Sequence, residues 1–367
     1  SRTLQLKMNQ LTSIPIGAFS NLPSLEMLSL LGNGLANIQS GAFSNLLKLD
    51  RLYLNVNNLT KINPDSFSNL PQLRALRLSS NRITYIDSAT FSKIPTLQKL
   101  NLDRNQITVI QSGTFSSLPQ LREIAMSSNK ITYISPGAFS NLLQLQRLEL
   151  RSNHITNISP GTFSNLNNLL RLDLFSNHIS KIQPGALSNL PMLKVLTLSS
   201  NQMTTIQPGT FSDLPKHTYI SLRNNPWHCD CRMVEFRRMT MPSLLETKII
   251  CQEPGNYRGQ NLQEIQTEKL VCVKPKVLSF RRDEDVTLLR RKALHLMCKA
   301  SGIPKPDITV TLPSGQNATT GSDGRVTVNE NGSIIVRDLT KTDAGLYVCI
   351  AGNHAGSSIA TLFIEIA

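Results

Sequence analysis

Apolar residues return along the first two-thirds of this chain at a fixed interval of 24 residues. The marker is asparagine, at Asn9, Asn33, Asn57, Asn81, Asn105, Asn129, Asn153, Asn177, Asn201 and Asn225, without an insertion. Leucine, isoleucine or methionine stands five and three residues before each marker, as Leu52 and Leu54 do before Asn57 and Ile124 and Met126 before Asn129. Isoleucine follows five residues after, from Ile14 to Ile206, and phenylalanine ten after, from Phe19 to Phe211 with Leu187 as the exception. Aligned copies of this kind define a solenoid, in which each repeat buries its apolar face against its neighbours. The Leu-x-Leu pair predicts a short strand with alternate side chains turned inward, and stacked copies predict a parallel sheet gaining about 4.8 Å per repeat. A tight turn after each strand would bury backbone groups that have no ladder partner. An asparagine side chain carries both a donor and an acceptor, so the marker column is expected to bridge consecutive turns as a hydrogen-bonded ladder. The phenylalanine column is expected to pack the opposite side. Glycines such as Gly41, Gly137 and Gly209 suit the bend where the chain returns.

The pattern changes twice after residue 215. Around Asn225 the chain reads Asn-Pro-Trp-His-Cys-Asp-Cys, followed by Cys251 and Cys272. Beyond Pro275 it reads as alternating strands with turn signals. Cys298 and Cys349 lie 51 residues apart there, and Tyr347 stands two before the second cysteine in Asp343-Ala-Gly-Leu-Tyr-Val-Cys349, the tyrosine-corner signature of an immunoglobulin sandwich. Three segments follow: repeats over 1–215, a cysteine-rich cap over 216–272, and a sandwich over 273–367. The linker around Val273–Lys276 is short and holds Pro275, which predicts a limited range of angles between the units.

Composition narrows the compartment. Hydrophobic residues make up 40% and aromatics 5%, with one Trp, so the core must be aliphatic. No run of 18 apolar residues appears, so membrane attachment is expected only through a segment outside this chain. The chain reads as a mature or trimmed product that starts inside a repeat, leaving its first core edge bare. Six cysteines and four Asn-x-Ser/Thr sequons, at Asn58, Asn157, Asn317 and Asn331, favour an oxidising secretory route and glycosylation, with Pro160 close behind Asn157. Of the net charge of +14, residues 1–215 carry +9, from 18 basic and 9 acidic side chains. That excess suits an anionic partner. Nucleic acid is not expected, since no recognition helix or stacking platform is visible.

Segments such as Leu76-Arg-Leu-Ser-Ser-Asn81 and Ser135-Pro-Gly-Ala-Phe-Ser-Asn-Leu142 resemble the 24-residue extracellular leucine-rich repeat. The resemblance runs from the first residue to about 225 and implies a leucine-rich-repeat α/β solenoid, mostly parallel β on a concave face that usually binds the ligand. Residues 225–272 resemble the C-terminal flanking cap of such repeats, which implies the pairs Cys229–Cys251 and Cys231–Cys272, with Trp227 covering the last coil. The crowding of His228, Cys229 and Cys231 leaves a zinc reading beside it, although Cys-x-Cys is not zinc-ribbon spacing. The last segment resembles the all-β I-set immunoglobulin group, with Cys298 and Cys349 as its disulfide. Val310 stands where that group carries a core tryptophan, which predicts a less stable domain. The order of modules resembles adhesion receptors of the LINGO, AMIGO and netrin-G-ligand families, and the uniform repeats resemble variable lymphocyte receptors.

Ligand contact is expected from the exposed positions six, four, two and one before each asparagine. They hold nine basic residues, Lys7, Arg51, Arg77, Lys99, Arg104, Arg147, Arg151, Arg171 and Arg223, and four acids, Asp103, Glu123, Glu149 and Asp173. Two clusters stand out. Met8, Met27, Leu31, Tyr53 and Val56 form an apolar patch beside Arg51, and are equally a cut core edge if upstream repeats are missing. Farther along, Arg147 stacks with Arg171 and Glu149 with Asp173, beside Arg151 and Phe175. Like charges about 5 Å apart cost stability, which hints at a partner unless the two columns neutralise each other sideways. His154 and His178 share a rim column, read as solvated residues before a metal or pH site. Arg290-Arg-Lys292 reads equally as a heparin-type patch or a charged strand edge.

No cofactor or catalytic motif is present: there is no Gly-x-Ser-x-Gly elbow, His-Glu-x-x-His pair or glycine-rich phosphate loop. The repeat acids are expected on open surface without strong pKa shifts. The first functional reading is a non-enzymatic extracellular receptor ectodomain for adhesion or signalling, binding a protein on the concave face. An innate immune binder of anionic or microbial glycans is the second. The targeting modules of a peroxidasin-like extracellular enzyme are the third. Homo-oligomers fit any of them.

Overall fold

Each repeat gives three residues to one ten-stranded parallel sheet. The strands are β1 (Thr3–Gln5), β2 (Met27–Ser29), β3 (Arg51–Tyr53), β4 (Ala75–Arg77), β5 (Lys99–Asn101), β6 (Glu123–Ala125), β7 (Arg147–Glu149), β8 (Arg171–Asp173), β9 (Val195–Thr197) and β10 (Tyr219–Ser221). They stack in chain order with the repeats in strict register, so Arg51 faces Ala75 and Arg147 faces Arg171. This computed structural model describes residues 2–19, 21–239, 247–283, 293–322 and 324–365.

The strands end one residue earlier than the Leu-x-Leu pattern predicts, and the asparagine column is the reason. The second leucine still donates to the next repeat, as Leu54 N–H does to Arg77 O at 2.8 Å. Its carbonyl goes elsewhere. Asn105 Nδ2 donates to Leu78 O and Leu102 O, each at 3.0 Å, while its Oδ1 accepts from Ile83 N–H at 3.0 Å. One side chain therefore ties three backbone groups across two repeats, and the same bonds recur from Asn57 to Asn225. The residue just before each asparagine is left-handed throughout, with φ between 54° and 68° from Met8 to Asn224. Gly32 and a run of serines suit that geometry. The sequence reading placed this column on the exposed face, through Met8, Val56 and Arg104, but did not foresee its left-handed backbone.

Behind the sheet, among the described residues, the chain returns through turns, one 3-10 helix, Pro64–Phe67, and two short parallel pairs, Val109–Ile110 with Tyr133–Ile134 and Asn157–Ile158 with Lys181–Ile182. The phenylalanines are buried and stack in the predicted column, Phe115 on Phe139 at 5.8 Å for example. Leu187 fills its place in the column, fully buried like its neighbours. Two further leucine columns, at positions such as Leu49 and Leu46, complete the core. Leu4 and Leu6 are only half-buried.

The chain divides into two compact units. The first is Ser1–Trp227, Glu235–Ile250 and Asn261–Gln263; the second is His228–Val234, Cys251–Gln260 and Glu264–Ala367. Trp227 is fully buried in the first unit, its indole N–H donating to Leu222 O at 3.1 Å. In the second, Cys229 is bonded to Cys251 and Cys231 to Cys272, the pairs that the cap resemblance implied. The zinc reading fails on this chemistry. Both sulfurs of the cluster are oxidised, and the Arg232 guanidinium stands 3.4 Å from His228 Nδ1.

The rest of the second unit is an antiparallel sandwich. Its strands are β11 (Val273–Arg282), β12 (Ala293–Ile303), β13 (Asp307–Thr311), β14 (Asn317–Thr319), β15 (Val326–Val328), β16 (Ser333–Arg337), β17 (Gly345–Asn353) and β18 (Gly356–Ile364). One sheet runs β11-β12-β16-β15 and the other β14-β13-β17-β18. The Cys298–Cys349 disulfide lies in the core with Val310, which is fully buried. Tyr347 donates its hydroxyl to Asp343 O at 2.9 Å, closing the tyrosine corner, and burial pushes the phenol up to about 12. The Arg290–Lys292 run lies outside the described residues.

Burial alone would raise the Asp343 carboxyl. Hydrogen bonds from the Thr340 N–H and hydroxyl and an ion pair with Arg325 outweigh it, and hold it below its ordinary 3.8. A depressed folded pKa adds stability above the unfolded value and loses it as pH falls through the folded one.

Two predictions follow from these bonds. Asn105→Ala leaves the buried Ile83 N–H without a partner and removes one of the two amide bonds to each of Leu78 O and Leu102 O, which keep those from Asn81 and Asn129, so it should lower solenoid stability by roughly 2 to 3 kcal/mol in urea unfolding. Asp343→Asn should lower the thermal stability of the sandwich at pH 7, and the deficit should shrink in calorimetry as pH drops below 3.8. A deficit unchanged down to pH 2 would contradict the second.

Candidate ligand-binding face

The side chains at the first and third positions of the strands from β2 to β10 point away from the core, because the middle residue of each is a buried leucine or isoleucine. Across β3 to β7 they line a shallow depression of about 540 Å³. Of the residues expected to contact ligand, Arg51, Tyr53, Arg77, Lys99, Asp103, Glu123, Arg147 and Glu149 border it. Arg104, Arg151, Arg171, Asp173 and Phe175 lie outside it, as do Lys7 and Arg223. The depression also takes in Asp50, Arg74 and Gln98, seven residues before their asparagines, which the sequence reading left out. Charges at several strand entrances, Glu26, Asp50, Arg74 and Arg122 among them, were the signal. Asp50 pairs with Arg51 at 3.5 Å and with Arg74 at 3.8 Å, so it orients two of the arginines on the rim.

Two cation–π contacts anchor the face. The Arg77 guanidinium sits 4.6 Å above the Tyr53 ring, its partner on the adjacent strand in register. Arg151 lies 5.9 Å from the Phe175 ring, one repeat on. Each arginine is exposed, with its planar group preset on an aromatic surface, and the side-chain entropy lost on binding is smaller for it.

The charges between the anchors are not all free. Lys99 pairs with Glu123 at 3.3 Å across neighbouring strands. Asp173 corrects the sequence reading: it is 95% buried rather than exposed. Its carboxylate accepts from the Phe175 N–H and the Thr197 hydroxyl and pairs with Arg171 at 3.7 Å, so it positions Phe175 and Arg171 instead of meeting a ligand. Sideways neutralisation therefore holds for Arg171. Among the described residues, Arg147 and Arg151 have no ion pair within 4.0 Å.

Two of the repeat acids nevertheless depart from their ordinary values in direction. Burial raises Asp103 above 3.8, against hydrogen bonds from the Ser127 N–H and Asn101 and the charges of Arg104 and Arg151. Burial raises Glu149 above 4.5, with Asp103 and Asp173 adding to the rise and Arg147 and Arg171 opposing it. One face thus keeps carboxylates that the fold holds at a cost.

Backbone strain points to the same region. Val56 is left-handed at φ 59° and 49% exposed, though β-branched residues avoid that conformation. Met8, on the same column, is left-handed and 79% exposed. Two large apolar side chains stand in solvent where half of the repeats place serine. Met27, Leu31 and Tyr53 beside them are half-buried. Elsewhere, His154 and His178 stack at 5.1 Å on the exposed rim, and all four sequon asparagines, Asn58, Asn157, Asn317 and Asn331, are exposed.

Comparison with known proteins agrees with this architecture. The Leucine rich repeat family matches in overlapping stretches from residue 28 to 226, and the Immunoglobulin domain family matches 274–353. The mouse "Leucine-rich repeat and fibronectin type-III domain-containing protein 2" is 34% identical over 146 residues, 40% of this chain and 18% of that protein. The human "Leucine-rich repeat and immunoglobulin-like domain-containing nogo receptor-interacting protein 2" is 30% identical over 152 residues, 40% of this chain and 25% of its own length. The human "Peroxidasin homolog" is 32% identical over 142 residues, 36% of this chain and 9% of its own length. The matches thus span a quarter or less of these relatives. Among solved structures, a chain of the octameric complex of Latrophilin 3, Unc5D and FLRT2 superposes with a TM-score of 0.57 at 29% identity, covering 72% of this chain and 88% of that one.

Removing the costly charge should be visible in stability. A raised folded pKa means that the folded state holds the proton more tightly, so stability from this group is fullest below 4.5 and is lost as pH rises through the raised value. Glu149→Gln should therefore raise the unfolding temperature of the solenoid at pH 7, with the gain fading below pH 4.5. No gain at pH 7 would mean that Arg147 and Arg171 already compensate the carboxylate.

Proposed function

The chain belongs to the leucine-rich repeat family and joins those repeats to an immunoglobulin domain, and from that premise we propose a receptor ectodomain that binds a protein partner on the sheet face of its solenoid. The observation that carries this reading is the depression over β3 to β7, where Arg77 rests on Tyr53 among side chains of both signs. An exposed arginine laid on a half-buried tyrosine is the usual composition of an energetic hot spot. The mixture of charges decides between macromolecular classes. A uniformly anionic polymer would meet Asp50, Asp103, Glu123 and Glu149 along with the arginines, whereas a folded protein can set a basic group against each acid. Three disulfides, no free cysteine and four exposed sequons support an extracellular setting. The solved neighbour named for FLRT2, Unc5D and Latrophilin 3 is an assembly of proteins, which supports the same class of partner.

An anionic glycan is the second reading, favoured by the +9 excess of residues 1–215 and by the unpaired Arg147 and Arg151. Salt separates the two. Glycan binding through counterion release falls steeply as salt rises, and a hot-spot protein contact falls less. The peroxidasin-like reading has the 32% identity to the human homolog behind it, over a region that carries no catalytic motif here.

The test is a screen of the whole chain against secreted and membrane ectodomains, followed by variants. Tyr53→Ala and Arg77→Glu should each weaken the recovered partner by about 30-fold or more, the hot-spot range. Arg82→Glu, one residue beyond the marker Asn81 and off the strand, should change it less than about threefold. Unchanged affinity in Tyr53→Ala, Arg77→Glu and Arg151→Glu would sink the sheet-face reading. Binding only to heparin or a bacterial polysaccharide, lost in high salt and in Arg151→Glu, would replace protein with glycan.

A further inference from the structure

The sheet face holds an acidic notch inside a basic rim. It forms around Ala125 on β6, whose methyl leaves room between longer neighbours. Asn101 on β5 and Glu149 on β7 stand beside it in register. Two residues on, Asp103 Oδ1 accepts from the Ser127 N–H at 2.7 Å. Among the described residues, Asp103 and Glu149 have no ion pair within 4.0 Å, whereas Glu123 is paired with Lys99 and Asp173 with Arg171. Half-buried carboxylates without a counterion are costly to keep.

A second observation points the same way. Ser127 is 7% exposed, and its Oγ is buried without a hydrogen-bond partner. Ile124 and Met126 turn inward, so alternation turns Ala125 and Ser127 out to the same side. Ser127 lies on the strand between those of Asp103 and Glu149. Two carboxylates and a hydroxyl oxygen therefore converge as acceptors that lack a donor.

We infer that this notch takes the ammonium group of a lysine side chain from the protein partner, an inference that rests on the sheet-face reading above. An ammonium carries three N–H donors and no acceptor, which answers Asp103, Glu149 and Ser127 one to one. A calcium ion gathers several oxygens at about 2.5 Å. Among the described residues, no three acids of this face bring their oxygens within 4.8 Å of one another, so the spacing suits the organic cation better.

The rim says what surrounds that lysine. Arg147, Glu149 and Arg151 turn outward at alternate positions, about 6.8 Å apart, and both arginines are exposed. A polyamine or a wholly basic segment would meet these guanidiniums and the +9 excess of residues 1–215. An extended segment reading acid-x-lysine-x-acid sets an opposite charge against each of the three at the same spacing.

The probe is the peptide acetyl-Gly-Glu-Ser-Lys-Ser-Glu-Gly-amide, titrated into the whole chain with the Ala125 methyl read by NMR. That signal should shift saturably below about 10 mM peptide. Acetylating the lysine should weaken binding about tenfold or more, as should Glu149→Gln in the chain. Should Glu149→Gln fail to fold, Ser127→Ala serves in its place, with a loss of about threefold or more. The absence of a saturable shift in the wild-type chain overturns the proposal. So does equal binding of the acetylated peptide, or undiminished binding to either folded variant. The two readings fail separately. A recovered partner weakened by Tyr53→Ala but bound fully by the Asp103→Asn, Glu149→Gln double variant would remove the lysine site and keep the sheet face. One indifferent to Tyr53, Arg77 and Arg151 would remove both.

Discussion

The asparagine column is the constraint on which everything else in the solenoid rests. A sheet made of three-residue strands cannot satisfy its own turns. Each asparagine supplies what is missing by taking two carbonyls and one N–H from two successive repeats. Because the amide is spent inward, the residue before it is forced left-handed and the strand stops short. That stop fixes which side chains face outward. The spacing of Arg77 over Tyr53, and of Arg151 beside Phe175, is a consequence of buried amides one turn away.

The outward face sits on this rigid frame and violates local rules that the frame obeys. Val56 keeps a backbone conformation suited to Gly32 in the previous repeat. Glu149 keeps a carboxylate that burial and two neighbouring acids disfavour. The core repeats its residues nearly without change, from Phe19 to Phe163, while the sheet face changes residue at each step. Departures of this kind concentrate where a surface is fitted to something outside the molecule.

Much of this was legible in the sequence because a period of 24 residues fixes the phase of every position. Core columns and the asparagine ladder follow from phase and side-chain chemistry, whereas the Trp227 plug and the tyrosine corner were read from the cap resemblance and the motif around Tyr347. Less of the binding face was legible. Asp173 and Glu149 occupy the same phase, yet Asp173 is buried because Thr197 in the next repeat offers it a hydroxyl, a contact that periodicity does not encode. The same limit hid Asp50 and Arg74, whose role depends on side chains reaching across strands. Phase assigns a direction to a side chain. It does not say how far that side chain reaches or what it finds.

The central claim is that recognition takes place on the sheet face. Hydroxyl-radical footprinting with the recovered partner reads it directly, because aromatic reporters stand on both sides of the question. Tyr53 and Phe175 lie on the sheet face, and Tyr85 and Tyr133, each about half exposed, lie four residues beyond the asparagine column and off it. The account predicts that the partner protects Tyr53 and leaves Tyr85 and Tyr133 as reactive as in the free chain. Protection of Tyr85 and Tyr133 with Tyr53 unchanged would contradict it.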